Sequence, residues 1–357
     1  MKKLFFLLII VSLFYTESIG QGCVAIRSTG GFCTASMNHP KVSPWVVGIN
    51  NRYFKSYKHF VGTEEQKERV EKGTEVINHS YTLDILVTRN INARWSFTFD
   101  LPVISNARSS LYEHDGKNRY STHSFGLGDI RVTGYGWIID PSKMPKGNLQ
   151  VGLGLKFPTG DYRYQDFFVK SDSIKVLGPV DQSIQLGDGG TGFTTELNGF
   201  YNFTRELSVY GNFFYLFNPR EQNGTSTARG GVPSASSILY GSSTMSVPDQ
   251  FMVRAGIAYT KQDFGISVGV RDDCLPSKDL IGGSSGFRRP GYIISVEPGA
   301  TYTFKHFSLY SYVPVALKRN RTQSYADKLR TEKTGVYTHG DAAFADYVVN
   351  IGASFRF

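Results

Sequence analysis

The chain ends on a two-residue alternation. In its closing segment Tyr347, Val349, Ile351, Ala353, Phe355 and Phe357 fall on one parity, and Asn350, Gly352, Ser354 and Arg356 fall on the other. A period of two marks an extended strand with two unlike faces. A strand that keeps its apolar parity, aromatics included, up to the last residue suits a wall with hydrocarbon on one side and water on the other. The alternative is an edge strand of a soluble sheet, which has no need to carry the pattern to the carboxyl end.

The same period recurs along the sequence. Candidate strands lie at 45–58, 74–90, 93–106, 123–140, 147–162, 188–203, 206–219, 248–261, 263–275, 290–304, 306–319 and 341–357. The even count returns the chain to the side on which it began. Short connections (Ile91–Asn92, Pro141–Lys146, Thr204–Arg205, Gln262, Lys305) alternate with long ones (His59–Gly73, Ala107–Thr122, Arg163–Gly187, Arg220–Val247, Pro276–Arg289, Asn320–Gly340). The expected fold is all-β: a transmembrane antiparallel up-and-down β-barrel of about 12 strands, with short periplasmic turns and long extracellular loops. No apolar run is long enough for a membrane helix, and the slightly negative mean hydropathy fits strands that show only alternate residues to lipid.

The amino-terminal end implies export. Lys2 and Lys3 precede an apolar run from Leu4 to Tyr15, and Ser18-Ile19-Gly20 is a small-x-small cleavage site. Residues 1–20 therefore read as a signal peptide cut near Gly20. Lipidation at Cys23 is disfavoured, because the apolar residue usual three positions upstream is missing. Residues 21–43 form a periplasmic tail or a small plug, and 44–357 form the barrel. Cys23 and Cys33 could pair across a Gly-rich loop in an oxidising compartment, which leaves Cys274 as a free thiol.

The apolar parity must face lipid, where an Arg at mid-depth costs about 2–4 kcal/mol. The opposite parity then lines a lumen. It carries Asp84, Asp100, Asp129, Arg131, Lys156, Glu196, Arg254, Arg271, Glu297 and Arg356. These charges either seal the lumen by pairing across it or border a polar path. Strand 123–140 is irregular, since Tyr135 and Trp137 share the parity of Asp129 and Arg131.

Phe125-Gly126-Leu127-Gly128-Asp129-Ile130, then Tyr135-Gly136-Trp137, a turn, and Leu153-Gly154-Leu155-Lys156-Phe157-Pro158-Thr159-Gly160 together resemble an outer-membrane family, the one named for the MetA-pathway of phenol degradation. Phe99-Asp100-Leu101-Pro102-Val103 also fits, and Pro314, Arg319, Asn320 and Arg321 look like the Bacteroidetes-type relatives. The family is loosely grouped with the long-chain fatty acid transporter barrels. The resemblance implies location and fold more firmly than substrate. On the residues alone, Pro158-Thr159-Gly160 reads as a strand terminator.

Tyr347, Val349, Ile351, Phe355 and Phe357 also resemble the terminal signal recognised by the barrel-assembly machinery. Expected partners are that machinery, periplasmic chaperones, outer-membrane lipid and lipopolysaccharide, and a small-molecule solute. Nothing points to nucleic acid. Leu186–Gly192 is Gly-rich but lacks the Lys-Ser/Thr of a phosphate loop, and it reads as a flexible loop-to-strand transition. His39, His59, His79, His114, His123, His306 and His339 form neither a metal-ligand pattern nor a nucleophile–base pair, so no cofactor, metal or catalysis is expected. The net charge is +9, and the basic loop residues Arg108, Lys117, Arg119, Arg321, Lys328, Arg330 and Lys333 read first as solvated positions against lipopolysaccharide phosphates, and second as a weak preference for anionic solutes. The sequence thus points to a Gram-negative outer-membrane, porin-like channel for passive passage of small hydrophobic or aromatic molecules. The alternative is a sealed structural or adhesive barrel acting through its loops, with an outer-membrane enzyme as a third and weaker option.

Overall fold

The computed structural model describes residues 43–144 and 146–357. The leader, most of the 21–43 segment, and Cys23 with Cys33 lie outside the described residues. Twelve antiparallel strands close into one barrel. They are β1 (Trp45–Val61), β2 (Ile77–Asn90), β3 (Trp95–Ser110), β4 (Tyr120–Leu127, resuming as Arg131–Trp137), β5 (Gly147–Lys156), β6 (Gly192–Asn202), β7 (Leu207–Phe217), β8 (Gln250–Lys261), β9 (Phe264–Leu275), β10 (Gly291–Thr303), β11 (Phe307–Tyr312, resuming as Val315–Arg321) and β12 (Ala342–Arg356). Each strand pairs with the next in sequence, and β12 pairs back onto β1 from Val46↔Arg356 to Phe60↔Ala342.

The period-two pattern explains the two surfaces. Outward residues such as Phe97, Leu153, Ile257, Val268, Val270 and Ile351 are exposed apolar side chains. Their inward neighbours Thr98, Gly152, Arg254, Arg271 and Asn350 are polar or lack a side chain. Aromatics bound the outward belt, as a bilayer interface requires. At the short-turn rim, Tyr302, Phe304, Phe307 and Phe355 make successive ring contacts at 4.7, 4.3 and 5.8 Å. Towards the long loops, Phe193, Phe217, Tyr215 and Phe251 do the same at 4.8, 4.3 and 5.9 Å. The tightest short turn holds Gln262 at φ 55°, a left-handed conformation suited to a two-residue hairpin. Inward glycines make room for rings: a Cβ on Gly256 or Gly269 would lie 2.6 or 2.7 Å from the Tyr210 hydroxyl.

Two of the expected strands are interrupted. In β4 the pairing with β3 changes from Val103↔Leu127 to Asp100↔Arg131, so one extra residue is inserted. That insertion flips the parity: buried Thr122 and Ser124 point inward above the break, and Arg131, Thr133 and Tyr135 below it. This accounts for the irregular alternation of 123–140. Tyr135 and Trp137 are inward-facing and help to fill the lumen, with Trp137 edge-on to Phe200. In β11 the interruption falls at Val313-Pro314, where proline cannot donate to a ladder. β5 also ends at Lys156 rather than running to 162, and Phe157–Gly160 turns away from the wall.

The long loops carry structure of their own. They form the hairpins Gln165–Ser171/Ile174–Pro179 and Gln222–Ser226/Thr244–Ser246 and the helices Lys67–Glu71, Ala235–Leu239 and Tyr325–Thr334. The last helix begins with a reciprocal Ser324/Asp327 capping box and ends at left-handed Gly335. Phe168, Val180, Ile184 and Val247 are fully buried, so the loops pack over and into one end of the barrel.

Candidate functional site

The lumen is layered along the barrel axis. About midway along the wall is a floor of paired charges. Glu297 on β10 accepts from Arg254 Nη1 at 2.9 Å and from Arg271 Nη1 at 3.3 Å. Arg271 also donates to Asp273 at 2.7 Å, and Arg254 Nε to Asn212 at 2.9 Å. Arg131 is bound to Asp100, and the Tyr135 hydroxyl donates to Glu196 at 3.0 Å. Asn50 donates to Asp84 at 3.4 Å. All of these charged groups are buried. Arg131 lies over the Phe214 ring, and Arg254 over Tyr210 and Tyr312. Arg356 is the exception among the expected lumenal charges. It sits half-buried at the short-turn rim, bonded to the Phe304 carbonyl and the Ser308 hydroxyl, because the wall ends there.

Above the floor is a chamber of about 150 Å³. Its apolar side is Phe54, Ile104, Phe214 and Leu216, and its polar side includes Arg52, Arg131 and Lys156.

The barrel wall is interrupted at two seams, of which the first borders this chamber. The first lies at the β4 break. Here the G-x-G-D and K-x-P-T-G segments form one hydrogen-bonded latch. Thr159 Oγ1 donates to the Gly128 carbonyl and accepts from Ile130 N–H, both at 2.9 Å. Asp129 accepts from Gly160 N–H at 3.0 Å and from Asp188 N–H at 3.1 Å, with Lys156 Nζ 3.6 Å away. Lys156 also binds Asp188. Leu186 packs against the break from inside: a Cβ on Gly126 would meet its side chain at 2.9 Å, and one on Gly160 its carbonyl at 2.6 Å. Thr159 and Gly160 therefore do more than end a strand, and Leu186–Gly192 is tied down rather than flexible.

The second seam opens above Val315↔Tyr347, the last pair between β11 and β12. From there β12 stays with β1, and β11 stays with β10. Arg319 spans the separation, donating to the Ala345 carbonyl at 3.1 Å and to Asp346 at 2.6 Å. Lys58 and Tyr57 hold the same carboxylate at 3.0 and 3.1 Å. Gly62 and Arg321 exchange backbone bonds at the top.

The chamber roof is a clasp of loops. Asp181 accepts from Arg229 at 2.8 Å and from Arg289 at 2.8 and 2.7 Å, with Arg108 3.5 Å away. Glu113 accepts from Arg108 at 2.7 Å and lies 2.8 Å from Arg229. Four segments of chain meet at these two carboxylates. Arg108 and Arg321 are thus buried and paired, not solvated, because they lie at the loop-side ends of β3 and β11 on inward positions. Burial pushes the Asp181 carboxyl up, but Arg108, Arg289 and Arg229 outweigh it and hold it well below the ordinary carboxylate range. A depressed carboxylate stabilises the fold above its unfolded value, and the contribution fades as pH falls through the folded one. The clasp is therefore expected to be insensitive to pH between about 5 and 8 and to loosen only in strong acid, below about pH 4. Hydrogen exchange over 176–184 at stepped pH checks this, and exposure beginning near pH 6 would contradict it.

No protein-family model and no curated protein matches the sequence. Solved structures do match in fold. The COG4313 outer membrane channel from Pseudomonas putida F1 superposes with a TM-score of 0.57 at 11% identity, over 93% of this chain and all of that one. The translocator domain of the autotransporter NalP from Neisseria meningitidis gives 0.48 at 12% identity, over 91% and 92%. A Pseudomonas aeruginosa FadL homologue gives 0.45 at 9%, over 94% and 100%. The fold is that of an outer-membrane β-barrel.

Proposed function

We propose that this chain is an outer-membrane channel for passive passage of small hydrophobic or aromatic molecules, with its long loops outside the cell and its short turns in the periplasm. The observation that carries the reading is a chamber that lies between a floor of paired buried charges and the interrupted wall at β4. An axial pore needs a continuous wet column, and the paired charges around Glu297 occupy that column. A solute in the chamber instead faces the wall where β4 loses its ladder to β5. Outward residues beside this interruption and the one at β11 are apolar: Leu127 and Leu155 at the first, Val315 at the other. Solute passes sideways, from chamber to bilayer.

The chamber supports a small guest. A cavity of about 150 Å³ lined by apolar side chains can hold a benzene-sized molecule, and one side of this chamber is apolar. The resemblance to the family named for phenol degradation agrees with an aromatic guest. The description of the Pseudomonas putida barrel as an outer membrane channel agrees with passage in general, without a solute class.

A sealed barrel acting through its loops is the second reading, and the closed floor favours it. Two measurements separate them. Cells with a lipopolysaccharide outer leaflet should take up a labelled monoaromatic severalfold faster when they make this protein. In planar bilayers the same protein should conduct ions barely above background. Unchanged uptake together with no conductance would leave only the sealed barrel.

A further inference from the structure

A second cavity lies outside the roof. It measures about 440 Å³ and is bounded by the turn around Glu113, the Gln165–Pro179 hairpin and the segment Thr227–Pro233. Met245, fully buried, lines both this vestibule and the inner chamber, so a single layer of side chains separates them.

The charge on this layer is unbalanced. Arg108, Arg229, Arg289 and Lys170 gather here, and the carboxylates that the three arginines pair with at this layer are Asp181 and Glu113. The three arginines already occupy both carboxylates. Lys170 is left with the Glu113 backbone carbonyl at 2.9 Å and the Phe168 ring at 5.3 Å, and it makes no ion pair among the described residues. An ammonium is a compact charge with three donors, and a carbonyl oxygen meets only part of that demand. Burial and the neighbouring Arg229 lower its pKa, and the Glu113 charge offsets only part of that. Hydroxyls of Ser234, Ser237 and Ser242 line the same cavity.

We propose that the vestibule is a capture site for a small organic anion, in which one carboxylate pairs with Lys170 and an apolar body faces Met245 and the chamber behind it. The inference rests on the channel reading for its purpose, and it narrows the solute class from aromatic molecules in general to aromatic or aliphatic acids. The anion supplies the counter-charge that the fold omits at Lys170. The apolar lining of the inner chamber then receives the rest of the molecule once Met245 moves aside.

The test places a reporter thiol in the vestibule. In a background with Cys23, Cys33 and Cys274 replaced by Ser, Ser242→Cys is labelled in detergent free of lipopolysaccharide. An anionic methanethiosulfonate is compared with a neutral one. The anionic reagent should react severalfold faster, and Lys170→Gln should cut that ratio at least threefold. Benzoate should protect the thiol, and benzyl alcohol should not. Equal rates for both reagents, or a ratio unchanged by Lys170→Gln, overturns the proposal. Protection by added lipopolysaccharide but not by benzoate also overturns it, since a lipid phosphate would then own the site. Ser237→Cys repeats the measurement if Ser242→Cys fails to give the heat-modifiable folded band. Protection by benzoate without any monoaromatic uptake by cells would sink the channel reading and leave the capture site standing.

Discussion

Replacing Glu297 by Ala is expected to cost about 3–5 kcal/mol of stability and to turn a nearly silent barrel into one that conducts ions. Among the described residues Glu297 is the only carboxylate bonded to Arg254, and it shares Arg271 with Asp273. All four groups are buried. Removing one partner of a buried ion pair leaves the other charge desolvated, which is why such deletions cost about 3–5 kcal/mol, although the intact pair adds little net stability. The void and the released guanidinium then admit water to the floor. A lower unfolding temperature of the heat-modifiable band checks the first effect, and single-channel recording checks the second. Glu297→Gln keeps the volume and a hydrogen-bonding group, so it should lose less stability and conduct less. If Glu297→Ala stays silent in bilayers while folding normally, the floor is not what blocks the axis.

The fold was largely legible because a barrel strand obeys one local rule. The alternation through Phe355 and Phe357 and the succession of short and long connections require only period-two reading. The seam at β4 was not legible, for a definite reason. At β4 one inserted residue exchanges inside for outside, so Ser124 and Arg131 face the same lumen on opposite parities. A reading that assumes one continuous strand sees only irregularity there. At β11, Pro314 gave a visible signal: a proline within an alternating segment marks a lost donor. The candidate lumenal charges followed from parity alone, but their partners did not, because pairs such as Arg254–Glu297 depend on the register of three strands. The roof was hidden for another reason. Asp181, Arg229 and Arg289 sit in three different loops, and loop charges read as solvated unless the loops are known to turn inward. The surplus of Arg near Asp181 was present in the sequence without a spacing that could reveal it.

The seam latch predicts that Asp129→Ala will release the inner loop while leaving the barrel closed. Asp129 accepts backbone bonds from Gly160 and Asp188 and neighbours Lys156. Loss of its carboxylate strands two buried N–H donors, at about 1–3 kcal/mol each. Lys156 keeps Asp188 as partner, so the damage is confined to the latch. Protection against hydrogen exchange should fall at 157–160 and 186–190. It should hold in β1 and β12, whose pairing spans Val46 to Phe60. With Leu186 no longer held against Gly126 and Gly128, the seam should widen and uptake of a monoaromatic should rise severalfold. Thr159→Val removes the Gly128 and Ile130 bonds from the other side of the same latch and should act in the same direction, more weakly. A released loop with unchanged uptake would mean that solute does not leave through β4. The remaining interruption in the wall, the one spanned by Arg319 and Asp346, would then have to carry the passage, and Arg319→Ala would become the variant that raises it.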